Sequence, residues 1–217
     1  MVLPLQICRE IVEIARRLHR RNCLAAADGN ISVRLSDDEI WMTPSGIAKA
    51  FMDPEQMACL DLRGEILHGN PSGERLMHLE IYKACPDAKA IVHAHPPTAI
   101  AWTLARPESR ELPSEALPEI LLACGRVPIV PYARPGTLEM GTHLKPFLPD
   151  HKALILSRHG AVCWGGSPEE AWRGIERIEH AAQILLSAQQ LGGASPLPEK
   201  ELAELWKLRA RLGGRLL

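Results

Sequence analysis

The sequence predicts one α/β domain, a central and largely antiparallel sheet flanked by helices. Three observations carry that prediction. Segments with the two-residue alternation of strands come in pairs joined by tight turns, which marks hairpins. Segments with helical spacing interrupt them irregularly, without the strand–helix–strand alternation of a doubly wound fold. No repeat, low-complexity stretch or linker divides the 217 residues, so residues 1–217 read as a single domain.

The elements follow in order. Residues 5–22 place Leu5, Cys8, Ile11, Ile14, Ala15 and Leu18 at helical spacing and end in a basic cluster, which suits a solvated helix C-terminus. Ile31, Val33 and Leu35 alternate with Ser32 and Arg34 as a strand, and Asp37-Asp38 turns the chain into a second strand, EIWMT. Asp28-Gly29-Asn30 precedes this hairpin and Pro44-Ser45-Gly46 follows it. Asp53-Pro54-Glu55 reads as a helix start with proline at the first position, and ACLDL with EILHG as a short strand pair. A helix runs from Glu74 to about Ala84, then a strand over 88–95 and a helix near 98–104. Residues 106–119 read as a loop, 118–124 as a short helix, VPIVPY as a proline-bounded strand near an edge, and 136–147 as another short helix. ALILS and AVCW are strands split by Arg158-His159-Gly160. Ser167-Pro168 opens a long helix that ends at Gly192-Gly193, and a last amphipathic helix covers about 198–212.

Composition narrows the partners. Apolar residues make up 46% and the formal net charge is −1, a balance that favours neither nucleic acid nor a membrane surface. No apolar run approaches the ~20 residues of a membrane span, and the charged N-terminal pattern reads as an amphipathic helix rather than a signal peptide. Six scattered cysteines without a CxxC pair read as reduced, partly buried thiols, which favours the cytoplasm.

The chemistry gathers between Ser72 and Pro97. In AIVHAH, Ile91, His93 and His95 share one strand face while Ala90, Val92 and Ala94 share the other. Two residues along a strand is about 6.6 Å, close enough for two imidazoles to meet on one ion. Zinc and similar divalent metals take neutral imidazole readily, and a catalytic site keeps three protein ligands and an open position. Of the nine histidines, His159 is the best third ligand, because it sits at a strand junction where Gly160 permits close approach. His78, four residues after Glu74 on the same helix face, suits a core or supporting role better than ligation.

The motifs D-G-N-I-S-V-R, T-P-S-G, S-G-E, V-H-A-H-P and R-H-G, in this order over about residues 5–212, resemble the class II aldolase/adducin family, and within it the L-fuculose-1-phosphate aldolases. The resemblance implies a zinc site of His93, His95 and His159, with manganese or cobalt as alternatives, and Glu74 as the catalytic carboxylate. It implies a phosphate pocket of Asn30, Ser45, Gly46, Ser72 and Gly73, with Gly29 shaping the turn. Hydroxyl, amide and backbone N–H donors in turns beside a helix start suit an anion. The activity implied is metal-dependent cleavage of a ketose 1-phosphate to dihydroxyacetone phosphate and an aldehyde, by a cytoplasmic homotetramer with active sites at subunit interfaces. Trp41, Trp102, Trp164 and Trp172 offer that assembly apolar bulk that one domain is not expected to bury fully.

The sequence also departs from that pattern. Where the fuculose-phosphate enzymes resemble a pattern with tyrosines in the loop after the HxH strand and in the C-terminal tail, this chain has Leu117 and Leu212. Glu115 and Glu119 are the candidate secondary acids, as in the related methylthioribulose-1-phosphate dehydratases. Dehydration is therefore the rival chemistry, and a non-catalytic, adducin-head-like binding module the rival from another class.

Overall fold

The computed structural model describes residues 3–214. Helix α1 (Leu5–Arg20) leads into strands β1 (Asn30–Ser36) and β2 (Glu39–Met42), then β3 (Ala58–Leu60) and β4 (Ile66–His68). Helix α2 (Arg75–Ala84), β5 (Ala90–Ala94), α3 (Pro97–Ala105), β6 (Glu111–Leu112) and α4 (Pro118–Cys124) follow. The chain continues through β7 (Val127–Val130), α5 (Leu138–Leu144), β8 (Ala153–Leu156), β9 (Gly160–Gly165), α6 (Pro168–Gln190) and α7 (Glu199–Arg211). One nine-stranded sheet runs in the order β4-β3-β2-β1-β5-β9-β8-β7-β6. Every pairing is antiparallel except β7 with β8. The predicted fold class holds.

Helices cover both faces of the sheet, so strand alternation sorts side chains into two cores. Ala90, Val92 and Ala94 join the core under α1, α3, α4 and α6, while Ile91 joins the one under α2 and α5. Ser167 caps α6 by accepting a hydrogen bond from the Glu170 amide. All six cysteines are free and buried. Among the described residues, no helix is long and apolar enough to cross a membrane.

Several boundaries differ from expectation for local reasons. α1 stops at Arg20 because Asn22 turns left-handed (φ 58°) and the Cys23 amide returns to the Leu18 carbonyl. The helix expected after Asp53 is a single 3₁₀ turn, Pro54–Gln56, closed by a reciprocal Asp53–Gln56 capping box before the chain extends into β3. β7 lies one strand in from the edge, since two residues of the expected loop, Glu111 and Leu112, pair with it as β6. Trp41, Trp102 and Trp164 are buried within the monomer, so they lend assembly no support.

The polar residues of β1 are not a solvated face. Asn30, Ser32 and Arg34 alternate beneath α2 and are all buried. The Arg34 guanidinium lies 5.0 Å over the Tyr82 ring and donates to the carbonyls of Tyr82, Cys85, Pro86 and Ala88 around the C-terminus of α2. One planar fork thus gathers a last-turn carbonyl of α2 and three carbonyls of the segment that leaves it, from Cys85 to Ala88. Replacing Arg34 with Met removes this donor from all four, and among the described residues only the Cys85 carbonyl keeps another partner, the Ala88 amide. We expect a loss of about 2–4 kcal/mol in urea unfolding, without a change in the slope that reports exposed surface.

Candidate active site

The site forms where three backbone segments approach one another. β5 carries His93, and His95 follows just past its end; the turn between β8 and β9 carries His159; the start of α2 carries Glu74. Arg158 takes the left-handed conformation (φ 60°), its amide tied to Thr103 Oγ1 at 2.9 Å, and this turns His159 onto the neighbouring strand. Gly160 makes the approach possible. A Cβ there would lie 2.9 Å from His93 Cε1 and 3.0 Å from His95 Cδ2. Gly29 (φ 66°) plays the same part on the other side, its Cβ position 2.7 Å from the His93 carbonyl oxygen.

His93, His95 and His159 form the one group of metal-ligating side chains among the described residues, with ligand atoms all within 4.8 Å of one another. His93 Nε2 and His95 Nε2 are 3.2 Å apart. Two nitrogens bound tetrahedrally to zinc are separated by about 3.3 Å. The outer nitrogens explain why the inner ones converge. His93 Nδ1 lies 2.9 Å from the Ala161 carbonyl, and His95 Nδ1 lies 3.4 Å from Asp28 Oδ2. Each outer nitrogen thus has an acceptor for its proton, which leaves each Nε2 able to offer a lone pair to a metal.

Glu74 adds more negative charge at the same point. Its Oε2 lies 3.2 Å from His93 Nε2 and its Oε1 3.2 Å from His159 Nε2, and Asn30 Nδ2 donates to Oε2 at 2.7 Å. Burial alone would raise the Glu74 carboxyl. Protons on the facing nitrogens of His93 and His159, in the positions a metal would otherwise take, outweigh it and hold the group well below the usual carboxylate range. Burial, with the charges of His93 and His159, lowers His95 to about 3, so it stays neutral and able to ligate. Inward-facing lone pairs and an ionised carboxylate need a cation among them. The donor set fits a divalent metal with one side open.

The turns expected to hold phosphate are brought together beside this cluster. Pro44 and Pro71 form a β-bridge, the Ser45 amide donates to the Asn70 carbonyl, and the Ser72 amide donates to the Thr43 carbonyl. Gly46 and Gly73 face open space where a Cβ would meet nothing within 4 Å. Ser72 Oγ accepts from the Glu74 amide at 3.3 Å, which couples this cradle to the carboxylate. Asn30 is turned to Glu74 rather than to the two turns. Glu115 and Glu119 have other company: Glu115 pairs with Arg126 at 3.4 Å, and Glu119 lines a cavity of about 270 Å³ with Arg177 and His180 of α6. Two neighbours of the site carry no signal in the sequence. Asp28 belongs to the D-G-N turn, whose pattern predicts turn chemistry alone. Lys49, buried with Nζ 2.6 Å from the Ala27 carbonyl, carries no motif that would reveal it.

A family profile, class II aldolase and adducin N-terminal domain, matches residues 9–186. The chain belongs to this family. It is 31% identical over 203 residues to the 3-oxo-tetronate 4-phosphate decarboxylase of Escherichia coli K12, covering 93% of this chain and 94% of that protein. It is 30% identical to the L-fuculose phosphate aldolase of Methanocaldococcus jannaschii over 82% of this chain and 94% of that one. The structure of YgbL from Escherichia coli superimposes with a TM-score of 0.85 at 30% identity, covering 93% of this chain and 98% of that one. The fold and the family resemblance thus hold together, and the family's relatives span two C–C bond-breaking chemistries.

The Asp28–His95 contact gives a direct expectation. Asp28→Ala frees the His95 ring and should weaken zinc binding by about 10–100-fold, read by competition with a chromophoric chelator.

Proposed function

We propose that this protein breaks a carbon–carbon bond next to the ketone of a phosphorylated hydroxy-ketone, leaving dihydroxyacetone phosphate, and that the bond broken is to a carboxylate. The substrate class is then a 3-oxo sugar acid 4-phosphate. The observation that carries this reading is the proton inventory of the site. Glu74 is the one side-chain acid–base group set against the inward nitrogens of the histidines among the described residues. Aldol cleavage needs two proton transfers, one from the hydroxyl that becomes the aldehyde and one to carbon. Decarboxylation needs only the second.

When bound by His93, His95 and His159, a divalent ion, zinc in our reading, supplies Lewis acidity at the ketone and its neighbouring hydroxyl. The turns at Ser45-Gly46 and Ser72-Gly73 hold the phosphate through hydroxyl and backbone N–H donors, which fixes the distance from phosphate to ketone. The bond from C2 to the carboxylate carbon breaks, CO2 leaves, and its electron pair enters the C2–C3 enediolate. Glu74 then delivers to C2 a proton taken from solvent, and dihydroxyacetone phosphate results. Asn30 keeps the carboxylate aimed by its 2.7 Å hydrogen bond.

Aldol cleavage of a ketose 1-phosphate is the second reading. It is favoured by Glu74 itself, a carboxylate long enough to reach carbon, and by the fuculose-phosphate aldolases among the relatives. Among the described residues, the loop positions expected to serve the aldehyde oxygen do not reach for it: Leu117 is half-buried against the larger core, and Glu115 is paired with Arg126. Dehydration would draw on the same loop glutamates. We place the enzyme in the cytoplasm, where six reduced thiols are stable, and as a homotetramer. A single monomeric species in micromolar sedimentation would count against the tetramer.

The deciding assay follows release of CO2 and dihydroxyacetone phosphate from a 3-oxo-tetronate 4-phosphate, beside a panel of ketose 1-phosphates, with and without chelator. We expect chelator-sensitive release of both products from the acid, reduced at least ~100-fold in Glu74→Gln. Aldehyde released from a ketose phosphate, with no CO2 from the acid, would reverse the order of the two readings.

A further inference from the structure

Behind Glu74 the helix and strand are joined by a buried polar seam that the chemistry above does not use. Ser32 Oγ lies 2.7 Å from His78 Nδ1 and 2.8 Å from the Tyr82 hydroxyl. His78 and Tyr82 are both 1% exposed and Ser32 is fully covered. Two buried atoms beside this seam have no partner: His78 Nε2 and Asn30 Oδ1.

Counting protons fixes the direction of the seam. If His78 Nδ1 donated to Ser32, the serine proton would pass to Tyr82 and the buried tyrosine proton would have nowhere to go. It is the stranded tyrosine proton that decides, since one water can bridge two acceptors as well as a donor and an acceptor. In the opposite sense Tyr82 donates to Ser32 and Ser32 donates to His78 Nδ1. The imidazole then carries its proton on Nε2, so the two unpaired atoms become one donor and one acceptor.

They also sit on neighbouring rungs of one strand–helix pairing. Asn30 and Ser32 are neighbours on one face of β1, about 6.6 Å apart. Glu74 and His78 are neighbours on one face of α2, about 5–6 Å apart. Asn30 touches Glu74 and Ser32 touches His78, so the two pairs stack as rungs. A single water, with two bonds of about 2.8 Å, is the smallest group that could join a buried donor and acceptor on adjoining rungs.

We propose that His78 is a positioning residue: as the Nε2–H tautomer it binds a buried water that fixes the Asn30 amide, and Asn30 in turn fixes Glu74. The relay runs Tyr82, Ser32, His78, water, Asn30, Glu74. Held from behind, the Asn30 amide cannot flip, and its nitrogen stays on Oε2. The kinetic consequence rests on Glu74 being the working carboxylate of the proposed reaction; the tautomer does not.

Two measurements test this on the zinc-loaded protein. Long-range ¹H–¹⁵N spectra should show His78 as the Nε2–H tautomer with a slowly exchanging proton, whether or not any substrate is turned over. An Nδ1–H tautomer would overturn the proposal. With a cleaved substrate in hand, His78→Leu should lower kcat about 10–100-fold while KM and zinc content stay unchanged. His78→Gln, which keeps an N–H donor near the Nε2 position, should restore most of that loss. An unchanged kcat in His78→Leu, or an equal loss in both variants, would sink it. If no substrate in the panel is cleaved while the Nε2–H tautomer is seen, the reaction assignment fails and the seam stands.

Discussion

The arrangement depends on a concentration of electron pairs that the fold would not tolerate without positive charge. Three imidazoles and a carboxylate held ionised converge within a few ångströms, so positive charge must sit among them, as protons or as a metal ion. In a buried setting such repulsion is costly, and only a cation turns it into attraction. The rest of the local structure exists to hold that convergence. Gly29 and Gly160 let backbones approach the histidine strand more closely than any Cβ would allow, and the left-handed Arg158 aims the third ring.

The same economy governs the second face of β1. A strand covered by helices on both sides normally reads as continuous apolar sequence. This one keeps Asn30, Ser32 and Arg34 in the interior, and each finds a partner on α2 or at its end. The helix is thereby fixed in register along its length, from the carboxylate at its start to the carbonyls at its finish. Packing alone would leave it free to shift by fractions of an ångström; directional bonds to the strand do not. A carboxylate that must reach one carbon atom benefits from that stiffness.

Much of this was legible in the sequence because it rests on short-range rules. The face shared by His93 and His95, the glycine after His159 and the helix opening at Glu74 follow from strand period, backbone approach and helix spacing. What was not legible depends on pairing across the sheet. Ser32 and Arg34 look like the wet side of a hairpin until α2 covers them. Asp28 looks like a turn residue until β5 brings His95 beside it. Lys49 lies in a stretch with no periodic signal at all. The helix expected at Asp53 shortened to one turn because the next residues were needed as a strand, a tertiary demand that local propensity does not contain.

Aldol cleavage and decarboxylation differ less than their names suggest. Both break a bond to the carbon beside a ketone, and both leave the same enediolate of dihydroxyacetone phosphate. A metal site, a phosphate cradle and a carbon-directed carboxylate, as proposed for this chain, would serve either one unchanged. What separates them is the leaving group: an aldehyde departs only after its oxygen gives up a proton, while CO2 departs with none to give. A chain of this family can therefore move between the two by losing the group that takes the proton. Leucines at 117 and 212 and a glutamate at 115 tied to Arg126 are what such a loss looks like in the side chains. In the proposed reading the histidine triad is common to the family, and the groups around the departing fragment decide between its reactions.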